Sequence, residues 1–168
     1  MLRVDLARLK SRGSDRIDAD LAASEPVWAE IGVEPAAAFA IRLEASKAGP
    51  DVIVRGRIEG DVLGACRRCL AETRSRVDEP VLLVFRSGID PVQAEREEVC
   101  VLPENVRDLD LEPAIRELLI LANPRYTLCR DGCRGRCAGC GADLNLEPCS
   151  CTAVTGDERW AVLRRLAE

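Results

Sequence analysis

The sequence predicts an α+β protein: a twisted antiparallel β-sheet domain with one packing helix, followed by a cysteine-rich C-terminal extension that ends in a short helix. Three observations predict it. Apolar residues alternate with polar ones through much of 39–86, the period of a half-buried strand. One stretch, 111–122, instead places its apolar residues on a helical face. Six cysteines then crowd between Cys129 and Cys151. The expected divisions are a β-rich domain over 1–108, a connecting helix over 109–124 and the cysteine-rich tail over 125–168.

In chain order, Leu2, Val4 and Leu6 alternate weakly, as an edge strand would, and 11–26 is polar and reads as a loop. Phe39, Ile41 and Leu43 alternate with Ala40, Arg42 and Glu44 and mark a strand, closed by the turn signal Gly49-Pro50-Asp51. Val52, Val54, Ile58 and Val62 then share one face with Gly56, Gly60 and Gly64, so this strand should bend or bulge. A partner strand runs from Leu70 to Arg86. The two make a hairpin with Cys66-Arg67-Arg68-Cys69 near its tip. Residues 87–108 read as an acidic irregular segment with a short strand at 99–102. Asp110 is placed to cap a helix, Pro113 is tolerated in its first turn, and Asn123-Pro124 ends it. Leu111, Ile115, Leu118, Leu119 and Ala122 form its apolar face. Asp157 opens a second helix, lined by Trp160, Leu163 and Leu166.

The chain has 168 residues and a net charge of -5, with 47% hydrophobic and 32% charged residues, a globular composition. Aromatic residues make up 3%, so Val, Leu, Ile and Ala must build the core. Residues 87–123 hold nine acids against three Arg, whereas 125–136 hold Arg125, Arg130, Arg134 and Arg136 against Asp131 alone. An acidic chain is poorly suited to gripping bare phosphate, although the basic patch leaves a local nucleic-acid contact open. The acidic face reads as a solvated surface that could dock a basic protein. No apolar run has signal-peptide or membrane-spanning length, so a cytoplasmic protein with no membrane partner is expected.

The chain has nine cysteines and no histidine. Without histidine, a Ser-His-Asp triad and an H-E-x-x-H site are both excluded. No phosphate-binding glycine motif occurs, and nothing marks a small-molecule substrate. In a reducing compartment, closely spaced cysteines favour metal over disulfides. Four thiolates suit a tetrahedral zinc ion, and a closed all-Cys site is structural rather than catalytic. The candidate ligands are Cys129, Cys133, Cys137, Cys140, Cys149 and Cys151. Cys137-x2-Cys140-Gly141 has the shape of a zinc knuckle and leads the set, Cys133 and Cys129 come next, and then Cys149 and Cys151. Six candidates for four positions leave the assignment open. If Cys66 and Cys69 fold back onto the tail, eight cysteines fill two sites and Cys100 remains as a small buried hydrophobe. Cys66 and Cys69 read equally well as unrelated thiols. The competing readings are a thiol redox protein or sensor built on Cys66 and Cys69, an iron–sulfur site, and a transcription-related zinc ribbon.

Cys66-Arg67-Arg68-Cys69-Leu70 resembles the C-x-R-C-L motif of the bacterial YceD-type proteins, the large ribosomal RNA subunit accumulation family. The run Leu128-Cys129, Cys133-Arg134-Gly135-Arg136-Cys137, Cys140-Gly141-Ala142-Asp143-Leu144-Asn145 and Cys149-Ser150-Cys151 is similar to the family's tail in order and spacing. Leu118–Pro124 resembles its hydrophobic helix, and Asp157-Glu158-Arg159-Trp160 with Leu163 and Leu166 its closing helix. This chain carries Arg136 and Ala138 where many members have Leu and Pro. The resemblance implies a non-enzymatic ribosome-biogenesis factor that supports the synthesis, processing or stability of large-subunit ribosomal RNA. Its implied partner is that RNA or a ribosomal protein.

Overall fold

The computed structural model describes residues 2–151. The terminal helix expected from Asp157, with Trp160, Leu163 and Leu166, lies outside the described residues. The elements run β1 (Arg3–Asp5), α1 (Leu6–Arg12), β2 (Ser14–Leu21), α2 (Pro26–Ile31), β3 (Glu34–Pro35), β4 (Phe39–Ala48), β5 (Asp51–Ala65), β6 (Glu72–Arg86), α3 (Pro91–Arg96), β7 (Cys100–Val101), β8 (Asp108–Asp110) and α4 (Glu112–Ala122). The chain divides into two compact units. Of the described residues, one holds those up to Gly64 together with Arg74–Arg125, and the other holds Ala65–Thr73 together with those from Tyr126 to Cys151.

The first unit is built on a six-stranded sheet in the order β2-β4-β5-β6-β7, with β3 also paired to β5. The β2–β4 and β4–β5 pairs are antiparallel, and the short β7 joins β6 in parallel. The alternation in the sequence becomes burial. Phe39, Ile41, Leu43 and Ala45 of β4, Val54, Ile58 and Val62 of β5, and Val77, Val81 and Phe85 of β6 point into one core. Leu111, Ile115 and Leu119 of the α4 region belong to the same cluster. Each such Ile or Leu gives roughly 1.5–3 kcal/mol on leaving water. β1 pairs antiparallel with β8 in a separate two-stranded sheet, which ties the N-terminal segment to the residues just before α4. Gly60 lets Phe39 lie flat on β5, because a Cβ there would fall 2.4 Å from the Phe39 ring.

The opposite face of the sheet carries matched charges. Arg42 pairs with Asp20 at 2.7 Å, Arg74 with Asp61 at 2.8 Å and Arg55 with Glu44 at 3.4 Å, and Arg57 pairs with Asp78. These are the cross-strand opposite-charge pairs that favour one register.

The α+β class, the long hairpin and the packing helix are as the sequence predicts, while several local expectations need correction. The edge strand expected over 1–10 is only Arg3–Asp5, and α1 follows it, capped by Asp5, which accepts from Arg8 N–H at 2.9 Å. The stretch read as a loop over 11–26 contains β2, an eight-residue edge strand. Its alternation is hidden because the inward-facing series begins with an acid. Asp15 is buried beside Ile17 and is neutralised by Arg8 at 2.8 Å. α3 interrupts the segment read as irregular, nucleated by Asp90, which accepts from the N–H groups of Val92 and Gln93. α4 opens one residue later than a simple Asp110 cap implies, though Asp110 does accept from Glu112 N–H at 2.9 Å. Among the described residues no helix is long and apolar enough to cross a membrane.

Candidate metal centres

Among its described residues the second unit has almost no regular structure, and their order comes from two loops with the same backbone path. In the hairpin tip, Cys66 N–H donates to the Ala71 carbonyl at 2.8 Å and Leu70 N–H to the Cys66 carbonyl at 2.9 Å. In the tail, Cys137 N–H donates to the Ala142 carbonyl and Gly141 N–H to the Cys137 carbonyl, both at 2.9 Å. The residue after the second cysteine is left-handed in both loops, with φ 65° at Leu70 and 75° at Gly141. Each C-x2-C is therefore a knuckle, closed by the same two backbone bonds.

The thiols sort accordingly. Cys66, Cys69, Cys129 and Cys133 form one group and Cys137, Cys140, Cys149 and Cys151 another, with the sulfurs of each within 4.8 Å of one another. Cys137 and Cys140 are thus joined by Cys149 and Cys151, while Cys129 and Cys133 meet the hairpin pair. Cys100 belongs to neither group. It is half-buried against the core of the first unit, and burial followed by the charge of Glu117 pushes its thiol up.

The donor sets fit a metal. Four sulfurs about 2.3 Å from a tetrahedral ion stand roughly 3.8 Å apart. Cys66 and Cys133 Sγ are 3.8 Å apart, and Cys69 and Cys129 Sγ 3.6 Å. A disulfide needs about 2.05 Å, and all nine cysteines are free thiols. Each group offers four thiols, the number that a closed tetrahedral site takes.

The first group is set deeper than the second. Cys66, Cys69 and Cys133 are buried and only Cys129 is exposed, whereas Cys140 and Cys151 of the second group are exposed and Cys137 and Cys149 half-buried. Several polar contacts hold the first group's segments in place. Arg136 donates from Nε to the Cys69 carbonyl, and Arg68 from Nη1 to the Cys133 carbonyl, both at 2.9 Å. Arg136 N–H donates to the Arg68 carbonyl at 3.1 Å. Gly135 permits this crossing, because at φ 77° a Cβ would stand 3.0 Å from the Arg68 carbonyl oxygen. Thr127 Oγ1 lies 2.9 Å from Thr73 Oγ1 and donates to the Ala65 carbonyl at 3.2 Å.

Asn145 connects the two groups. It lies in the loop between Cys140 and Cys149, yet its Nδ2 donates to Cys133 Sγ of the first group at 3.4 Å. Asp143 accepts from the same amide at 2.7 Å, and Arg134 N–H donates to Asn145 Oδ1 at 2.8 Å. Arg68 and Asn145 stand in the motifs that carry the family resemblance, but the contacts they and Arg136 make were not legible there, since each depends on residues brought together by the fold.

The electrostatics are uneven inside each group. Cys66 is drawn down to about 6, first by the backbone N–H of Cys69 and then by that of Cys129. Cys137 is also drawn down to about 6, by the N–H groups of Cys140 and Gly139. Burial and the neighbouring sulfurs of Cys69, Cys133 and Cys66 push Cys129 up to about 12, and the sulfurs of Cys140 and Cys137 push Cys151 up to about 12. Thiolates this close repel one another, and a divalent cation among them removes that repulsion. The redox reading of Cys66 and Cys69 fares less well, because thiol exchange needs an accessible sulfur and these two are 0% and 2% exposed.

The profile of the family described as "Large ribosomal RNA subunit accumulation protein YceD" matches residues 54–167. An uncharacterized protein of Mycobacterium tuberculosis is 31% identical over 170 residues, covering 96% of this chain and 79% of its own length. An uncharacterized protein of Mycobacterium bovis matches to the same extent. The large ribosomal RNA subunit accumulation protein YCED homolog 1, chloroplastic, of Arabidopsis thaliana is 32% identical over 109 residues, covering 57% of this chain and 34% of the plant protein. No solved structure matches the chain. The family match takes in most of the hairpin with its first knuckle, α4 and all eight grouped cysteines, and on it the chain belongs to the YceD family of large ribosomal RNA subunit accumulation proteins.

Proposed function

We propose that this protein is a non-enzymatic, cytoplasmic ribosome-biogenesis factor. In this reading it supports the synthesis, processing or stability of large-subunit ribosomal RNA, in contact with that RNA or with a ribosomal protein, and its second unit is shaped by two structural zinc ions. The observation that carries the reading is the sorting of eight cysteines into two four-thiol groups. Such a set suits zinc as a structural crosslink and leaves no open position for chemistry. Cys66 and Cys133 are 67 positions apart, so an ion in the first group closes a long loop and removes chain entropy from the unfolded state. The family description supplies the ribosomal part of the reading.

The experiment is complementation. Cells lacking the protein should show a lowered ratio of large-subunit to small-subunit ribosomal RNA, restored by the wild-type chain. Cys66→Ser/Cys69→Ser should lose most of that restoration because the first group falls apart. An unchanged RNA ratio in cells lacking the protein would end the ribosomal reading. Full restoration by the double variant would end the view that the first group is needed for the role.

A further inference from the structure

We infer that the first unit carries a docking groove for an extended, basic peptide segment with apolar side chains at alternate positions, seated between β7 and the start of α4. The proposal names the partner chemistry for the role proposed above and rests on that reading for its biological meaning.

The groove has a volume of about 470 Å3. Its floor is Phe85 and Leu109, both buried, and Val101 and Val106 stand on its walls at 40% and 37% exposed. Asp108, Asp110 and Glu117 are its charged lining residues, and no Arg or Lys lines it. This arrangement differs from the rest of the molecule. On the open sheet face acids and arginines are matched pair by pair; in the groove Asp110 is paired with Arg3 at 3.9 Å, whereas among the described residues no ion pair forms at Asp108 or Glu117. Two carboxylates without an arginine partner therefore stand beside an apolar surface. Cys100, in the groove wall, feels that field, since the charge of Glu117 adds to burial in holding its thiol up.

The geometry favours an extended occupant. β7 is the last strand in the sheet order, so its outer edge offers backbone groups to an added strand. A strand laid there turns alternate side chains toward the groove and toward solvent. Apolar side chains would cover Phe85, Val101 and Val106, and Lys or Arg would face Asp108 and Glu117. Acidic rims of this kind steer basic partners and repel phosphate, which is why a peptide is favoured over RNA.

The test is fluorescence anisotropy with the full chain purified with its metal. The probes are a labelled ten-residue peptide of alternating Lys and Val, its Glu/Val and Lys/Ser counterparts, and a single-stranded 20-mer of uridine. The Lys/Val peptide should bind at least tenfold tighter than either counterpart, and tighter at low salt. Asp108→Lys/Glu117→Lys, both at exposed positions, should weaken it at least tenfold with metal content and circular dichroism unchanged. Val106→Ser should weaken it without altering the salt dependence. Equal binding of all three peptides, no effect of the charge reversal, or RNA binding that depends on the groove residues would overturn the proposal. In cells, a charge-reversed variant that has lost peptide binding but fully restores the RNA ratio would end the proposal while leaving the accumulation role intact. No change of the RNA ratio in cells lacking the protein would end that role instead.

Discussion

Leu70 and Gly141 occupy the same place in two equivalent knuckles, and the difference between them can be tested. Both residues are left-handed, a conformation that costs an ordinary L-residue roughly 1–2 kcal/mol and glycine almost nothing. Gly141 has nothing within 4 Å of where a Cβ would sit, so Gly141→Ala introduces backbone strain without a clash. The expected loss is about 1 kcal/mol, measured as faster release of metal from the second group to a chelator. Leu70 already bears the strain and its side chain is 65% exposed. Leu70→Ala should therefore leave release from the first group nearly unchanged. Equal effects at the two positions would contradict the equivalence of the knuckles. The C-x2-C spacing and Gly141 made the tail knuckle legible in the sequence. Leu70 concealed the other, because nothing about a leucine announces a positive φ.

At the scale of elements, the strands that were legible are those whose inward residues are all apolar, β4 and β5 above all. β2 was not, because Asp15 takes an inward position and only its pairing with Arg8, 2.8 Å away, makes that tolerable. α3 was hidden because six residues are too few for a helical period to emerge. Packing between elements gives a second prediction. With a Cβ at position 60 falling 2.4 Å from the Phe39 ring, Gly60→Ala must displace a fully buried aromatic. The cost should be about 1–3 kcal/mol, read as a lower midpoint in chemical denaturation with the slope unchanged. The thiol groups give a third prediction. In the folded arrangement without metal, Cys69, Cys129, Cys149 and Cys151 all have raised pKa values, and a thiol released from it, at its ordinary value of about 8.5, likewise holds its proton at pH 7. Metal must displace those protons. Zinc added to the metal-free protein in weak buffer at pH 7 should therefore acidify the solution. The sign of the pH dependence follows, with affinity falling as pH falls, because protons compete for the same sulfurs. Zinc uptake without proton release would show that these four sulfurs are not the ligands.

For the molecule as a whole, the sequence made the cysteine-rich tail and its candidate ligands visible but left their partition open. Spacing along the chain placed Cys129 and Cys133 beside Cys137 and Cys140. The fold instead returns the hairpin tip to the tail, so that sulfurs 60 and 67 positions apart become neighbours. No local pattern encodes that return. It is held by the arginine contacts across the loops, Arg68 to the Cys133 carbonyl and Arg136 to the Cys69 carbonyl. Among the described residues the second unit has only a small core, of Cys66, Cys69 and Cys133 with Leu128 packed against them, and a core of that size does not hold a fold without a staple. The first unit has its own apolar core and should survive removal of metal.

The measurement that tests this most directly is zinc content by elemental mass spectrometry on protein purified under reducing conditions, for the wild-type chain and two variants. About two zinc ions per chain are expected for the wild type, and about one for each of Cys66→Ser/Cys69→Ser and Cys137→Ser/Cys140→Ser, from the four-ligand requirement of a closed site. A wild-type chain with no zinc, or with one ion that Cys66→Ser/Cys69→Ser leaves in place, would contradict the two-centre account.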